Sequence, residues 1–408
     1  MNRSVHILCS ASLLVAGLAG VITGSAFTST AADAASSSKT IEVGIVCGCT
    51  GPLASSISVV PPAYQAWVDQ TNATGGVNGY KIKLIEKDDD GNPATSLADV
   101  QQLVTQNHVI ALVDATDVDT SWEAFAKENG VPVIGQNVSQ DPFLTNSDFY
   151  AVGQTEDSIF ASVVGAAKKA GAKKMALLYC AEAATCQQGV APLRATADAE
   201  GVPLVTALAI SASAPNYAAQ CLAAQQSGAQ ALFIADAVGV IESVAQGCAK
   251  QGYTPKIIID GASLAPSMAK SQGLANYTVF ENGNIPYFDT SNPSIATMTS
   301  AFKKYSPSLL KSPDFNELAV ETWASGVLLA TAAKAGKLGS NGAATSKQLV
   351  AGLHTIRDNT LGGIAPPLTF APTKAANPVD CWQGYTVLKA GKFSTPYGLG
   401  PNCVTLSG

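Results

Sequence analysis

The sequence predicts an α/β protein with parallel sheets in two lobes. Three observations lead there. Short apolar runs alternate with helical stretches over most of the chain, a rhythm that builds parallel sheets with helices on both faces. The chain has 408 residues, long for a single core, so two domains are the default. Finally, 47 % of its residues are hydrophobic and 13 % charged, the balance of a globular rather than a disordered chain.

The N-terminal segment, residues 1–34, reads as a signal peptide. Arg3 supplies the positive charge and Ile7–Ile22 the apolar run. Ala32-Asp33-Ala34 is the expected cleavage site, with Gly24-Ser25-Ala26 as competitor. An uncleaved membrane anchor is the alternative. Cys9 lies inside the apolar run, too early to carry a lipid after cleavage, so the chain is not an evident lipoprotein.

Strands then follow in order. Ile41–Val46 leads into Thr50-Gly51-Pro52-Leu53 and a helix with Trp67 and Val68. Gly75-Gly76-Val77-Asn78-Gly79 turns the chain into Lys81–Glu86, which ends in Asp88-Asp89-Asp90-Gly91-Asn92-Pro93. Leu97, Val100, Leu103 and Val104 share one helical face, and Val109–Val113 is the next short run. Thr120 and Glu123 have capping-box spacing for a helix start, and Val131–Ile134 closes the first half. The second half has candidate strands at Met175–Tyr179, Leu204–Leu208, Ala231–Ala235 and Lys256–Asp260. Helices are expected between them at Gln187–Glu200, Asn216–Gln226 and Val240–Gln251. Phe315–Lys334 and Ser346–Arg357 read as helices, Leu368–Phe370 and Tyr385–Leu388 as strands.

Composition excludes several functions. The net charge is −6 with no block of Lys or Arg, which argues against nucleic acid and anionic membranes as partners. After the signal segment only His108 and His354 remain, neither near a second His or Cys at ligand spacing. No histidine metal site or Ser-His-Asp hydrolase is therefore expected, and no nucleotide-binding glycine motif is present. The run Asp88–Gly91 resembles part of a calcium loop but lacks its remaining spacing and terminal Glu. No cofactor and no metal are expected.

Eight cysteines follow the signal segment: Cys47, Cys49, Cys180, Cys186, Cys221, Cys248, Cys381 and Cys403. An even number in an exported chain suggests disulfides. Proximity suggests 180–186, 221–248 and 381–403. Cys47 and Cys49 remain open between pairing within the motif, pairing elsewhere and a redox role.

Right-handed crossovers place the strand-to-helix loops on one edge of each sheet, where open α/β folds bind ligands. The polar residues there are Ser55 and Ser56, Thr116 and Asp117, Val138-Ser139-Gln140, and Asp260. Singly each reads as a cap or turn. Together on one edge they suggest a binding cleft.

TGPL, GGVNG, the acid run ending at Pro93 and NGVPVI together resemble the type I solute-binding proteins of ABC importers, in the branched-chain amino acid and amide-binding branch. The resemblance runs from about residue 41 to the C-terminus. It implies no enzyme but a periplasmic or secreted monomer that captures a small polar solute and delivers it to an ABC permease. A receptor domain that senses a ligand is the runner-up, and an exported redox enzyme using Cys47 and Cys49 a third reading. The resemblance implies two Rossmann-like lobes, at 40–156 plus 285–366 and at 157–284 plus 367–408, joined by multiple crossovers and closing by hinge motion.

In the amino-acid binders of this family, a Ser or Thr after the third strand and the loop after the fourth hold the ligand carboxylate. Thr116, Val138 and Gln140 match. An acidic residue before a Gly holds the ammonium, and Asp260-Gly261 matches. The aromatic of a Tyr-Gly-like turn is missing at Cys186-Gln187-Gln188-Gly189, and a second is replaced near Asp236-Ala237-Val238. Asp114, Asp117 and Asp119 surround the expected carboxylate position. Like charges in a low-dielectric cleft repel, so a cationic or neutral polar solute is the expectation.

Overall fold

A computed structural model describes residues 39–51, 54–136, 141–154, 156–182, 184–283, 286–373 and 381–403. The expected signal segment, and Val138, Ser139 and Gln140, lie outside the described residues. The first sheet holds β1 (Thr40–Cys47), β2 (Lys81–Asp88), β3 (Ala111–Ala115), β4 (Val133–Gln136) and β5 (Phe149–Tyr150). All its pairs are parallel, in the order β2-β1-β3-β4-β5.

The second sheet begins with β6 (Met175–Cys180), β7 (Leu204–Ile210), β8 (Ala231–Ala235), β9 (Lys256–Asp260) and β10 (Thr278–Asn282). The C-terminal region adds β11 (Cys381–Gly384), β12 (Thr386–Lys389), β13 (Lys392–Ser394) and β14 (Leu399–Cys403). The sheet order is β13-β12-β10-β9-β8-β6-β7, with β12 and β13 antiparallel, while β11 and β14 form a separate pair. The parallel part, β7-β6-β8-β9-β10, repeats the winding of the first sheet. In both, the order reverses at the first strand, which is the switch point where such folds bind ligands.

Burial explains why these runs are strands. Along β6, Ala176 and Leu178 enter one core and Met175 and Leu177 the other. Both faces of the second sheet are thus covered, as parallel sheets require. The first core gathers β1–β4 with the helices Val60–Ala73, Pro293–Tyr305, Glu317–Ala335 and Ser346–Leu353. Caps set several helix starts. Asn92 Oδ1 accepts from Ala94 N and Thr95 N before Pro93–Thr105. Asn292 does the same for Ser294 N and Ile295 N before Pro293–Tyr305, and Thr345 with Gln348 forms a capping box. The Gly-Gly-Val-Asn-Gly turn needs Gly76, whose φ is +82° and whose Cβ would collide with the Tyr80 carbonyl.

Two local expectations fail. Thr120 and Glu123 form no capping box: Asp119–Ser121 is a 3₁₀ turn, and the helix Glu123–Glu128 starts without a side-chain cap. The Glu123 carboxylate instead accepts from Asn146 Nδ2 at 2.8 Å. Leu368–Phe370 is not a strand. Leu368 makes one isolated bridge with Asn359, and both Leu368 and Phe370 fill the first core.

Disulfides join Cys180 to Cys186, Cys221 to Cys248, Cys381 to Cys403, and Cys47 to Cys49. The choice left open by the sequence is therefore closure within the Cys47-Gly48-Cys49 motif. Cys221–Cys248 links the helices Ala218–Gln226 and Val238–Ala249. Replacing both cysteines by Ser removes a constraint on the unfolded chain and should lower stability by roughly 2–4 kcal/mol in a denaturant titration. Gly326→Ala should cost roughly 1–3 kcal/mol by the same measurement, because its Cβ would meet the indole of Trp67 in a filled core.

Candidate functional site

The first cleft loop is held from below by the acid run. Gly48 N donates to Ala115 O and Asp89 N to Cys47 O, each at 2.9 Å. Asp88 Oδ1 accepts from Thr50 N at 3.3 Å, and Asp89 Oδ1 from Gly91 N at 2.8 Å. These carboxylates thus bond backbone across strand ends. Ser55 lies in the short helix Ala54–Ile57. The Ser56 carbonyl accepts from Asn316 Nδ2 at 2.9 Å.

Thr116 follows β3 and is fully buried, its N–H donating to Asp114 Oδ1 at 3.1 Å. Asp117 is half-buried. Asp114 and Asp119 are both buried completely. Burial, and then the neighbouring Asp119 charge, holds the Asp114 carboxyl well above the usual range.

In the second sheet Asp260 ends β9 and Asp236 follows β8. Ser263 Oγ stands 2.8 Å from Asp260 Oδ1 and 3.0 Å from the Asp236 carbonyl. Burial raises Asp260. Asp236 is pushed up to about 6 by burial, with the charges of Glu182 and Asp260 adding to it.

A cavity of about 660 Å³ opens beside these strand ends. Ser56, Asp314 and Asn316 line it from the side of the first sheet, and Tyr217, Ala237 and Ala262 from the second. The helices joined by Cys221–Cys248 form its outer wall, and Lys250 stands on its lining. Asp314 and Tyr217 escaped sequence reasoning because they lie in an irregular segment and at an uncapped helix start, and Asn316 because this helix cap falls inside the run read as helix, Phe315–Lys334. Asp236 could have been found, since it directly follows the apolar run Ala231–Ala235.

Nearby, the two sheets' elements meet through carboxyls packed on glycines. A Cβ on Gly261 would collide with the Glu317 carboxyl, and one on Gly283 with that of Glu281. One on Gly153 would strike Glu321. Glu281 is 2 % exposed. Burial, opposed by the Thr386 hydroxyl and reinforced by the Asp260 charge, holds its carboxyl above the ordinary value of 4.5.

Over residues 40–392 the sequence matches the periplasmic binding protein family. The chain belongs to that family. Its members bind solutes and are not enzymes, and membership implies an extracytoplasmic location. No curated protein matches this periplasmic binding protein in sequence. Solved structures share its fold. One is the branched-chain amino acid substrate-binding protein LivJ of Streptococcus pneumoniae in complex with isoleucine, with a TM-score of 0.69 and 19 % identity, covering 89 % of this chain and 100 % of that one. A leucine-binding protein LivK of Thermotoga maritima gives 0.68 and 14 %, over 87 % and 97 %. A solute-binding protein of an R. palustris ABC transporter, in complex with benzoate, gives 0.69 and 17 %, over 90 % and 97 %.

The raised carboxyls set a pH dependence. Unfolded Asp and Glu lose their protons near 3.8 and 4.5, while folded Asp236 keeps its proton to about 6 and Glu281 beyond 4.5. The folded state then binds more protons, so stability falls as pH rises. The melting temperature should drop from pH 4 to pH 7, and Asp236→Asn with Glu281→Gln should flatten that slope.

Proposed function

We propose that this protein captures a small polar solute outside the cytoplasm and hands it to an ABC permease. In this reading the two sheets and their helices are lobes that close on the solute. The first lobe comprises 40–156 and 285–366, the second 157–284 and 367–408. Leu368 and Phe370 pack in the first core, which supports moving the last crossing from 366 to after Phe370. The observation that carries the reading is the cavity lined from both sides, at the edge where the parallel strands end. Of the residues expected from the sequence Ser56 lines this cavity; Thr116 and Asp260 stand outside its lining, and the reading assigns them to the solute because they follow or end parallel strands at that edge. Val138, Ser139 and Gln140 belong to the same expected loop set. The relatives in complex with isoleucine and with benzoate have the same fold and support solute binding as its use.

Binding would act by favouring the closed over the open arrangement, with no chemical step. A thermal-shift screen of amino acids, amides, polyamines and aromatic acids should find a compound that raises the melting temperature. Thr116→Ala and Asp260→Ala should each weaken its binding roughly 10- to 100-fold, the loss expected when a charge-assisted hydrogen bond of about 1.5–3 kcal/mol goes. Both variants should remain folded by circular dichroism. Unchanged affinity in both would place the solute elsewhere.

A further inference from the structure

Four neighbouring strands of the second sheet carry an acid at or just past their C-terminal ends. Glu182 follows β6, Asp236 follows β8, Asp260 ends β9 and Glu281 lies one residue from the end of β10. The sheet order β10-β9-β8-β6 makes this a row. No Lys or Arg occurs in the segments following these strands, 181–189, 236–237, 261–265 and 283–292. The same holds for the first sheet's segments 48–59, 89–92, 116–122, 137–148 and 151–155. Among the described residues the ion pairs are Lys83–Glu42, Lys87–Asp99 and Lys168–Glu200, and none includes a member of the row.

A row of acids can be a solvated edge, but two of its members are not solvated. Glu281 is 2 % exposed, and its Oε1 has no hydrogen-bond partner. That oxygen lies 3.3 Å from where a Cβ would stand on Gly261, the residue after Asp260. Asp236 Oδ2 is likewise enclosed and unpartnered. Buried carboxyl oxygens without donors are costly, and a donor bearing positive charge is the partner they lack. We propose that the solute is an organic cation, an amine or guanidinium compound without a free carboxylate, held at Asp260 with Asp236 and Glu281 on the adjacent strands. The inference rests on the solute-binding reading above and names the class of solute.

The surroundings agree with that choice. Among the described residues no three acids, cysteines or histidines converge as a metal ion would need. Acids spread along a strand row suit a longer molecule with one or two cationic ends. A carboxylate would find no Lys or Arg in any of these strand-end segments, and Lys250 stands on the cavity's outer wall instead. The groups facing the row are themselves acidic or phenolic. The Glu281 and Glu317 carboxyls both approach Gly261, and Glu281 feels the Asp260 charge from the neighbouring strand while its own charge acts on the Tyr287 hydroxyl. Asp236 faces Glu182, Asp260 and Tyr217. The empty site therefore keeps protons that a bound cation would displace, so affinity should rise with pH.

The test is calorimetry of the full chain with 1,5-diaminopentane and agmatine as probes, beside leucine, isoleucine and benzoate. Binding of a cationic probe should strengthen at least tenfold from pH 5 to pH 8. It should release protons, seen as heats that depend on the buffer. Asp260→Asn should weaken it at least tenfold, with unfolding curves confirming a folded variant. Asp236→Asn, at a partly exposed position, supplies a second check. Binding of leucine, isoleucine or benzoate with no response to either cation would overturn this inference and leave solute binding standing. No binding by any class would overturn both. Cation binding that ignores both substitutions would overturn the assigned residues.

Discussion

The helix Glu317–Ala335 is buried over most of its length, and what it touches fixes the geometry around the cavity. Its middle packs through Gly326 on the ring of Trp67, and Ser325 presses on Gly135 in β4. Gly352 of the helix Ser346–Leu353 lies against the Ala332 carbonyl. Its N-terminus carries Glu317 and Glu321, both buried, onto Gly261 and Gly153. One element thus anchors the first core and reaches the turn after β9. Its orientation comes from these close approaches at glycines.

Because Asn316, the cap of that helix, also donates to the Ser56 carbonyl, the helix start and the first loop are positioned together. One strand away the acid run ties the loop after β1 to the end of β2 through Thr50 and Asp89, while Gly48 bonds the Ala115 carbonyl of β3. On this side Ser56, Asp314 and Asn316 line the cavity, the first and last joined by the bond from the Asn316 side chain. On the other side, the disulfide between the helices Ala218–Gln226 and Val238–Ala249 fixes the wall covalently.

Much of the fold was legible because the parallel strands are short apolar runs with both faces covered. Ile41–Val46 and Ala231–Ala235 needed only composition to be read as strands. Leu368–Phe370 has the same apolar look, yet its side chains fill the first core from a loop, since three apolar residues do not specify a pairing partner. Thr120 and Glu123 had the right spacing, but spacing carries no information about Asn146, which takes the carboxylate. In the site, Asp260 was legible because an acid ends an apolar run and precedes a glycine. Glu281 was not, because its chemistry depends on Gly261, Gly283 and Glu317, which only the folded chain brings to it.

The four disulfides have one property in common. Their sequence separations are 2, 6, 27 and 22 residues. Each cysteine finds its partner within the stretch that leads directly to it, and no bridge ties the first sheet to the second. A chain emerging from its N-terminus could thus be oxidised piece by piece, each bond closing before distant segments arrive. Oxidation then hardens each part separately and leaves the joint between the two sheets without a covalent stop.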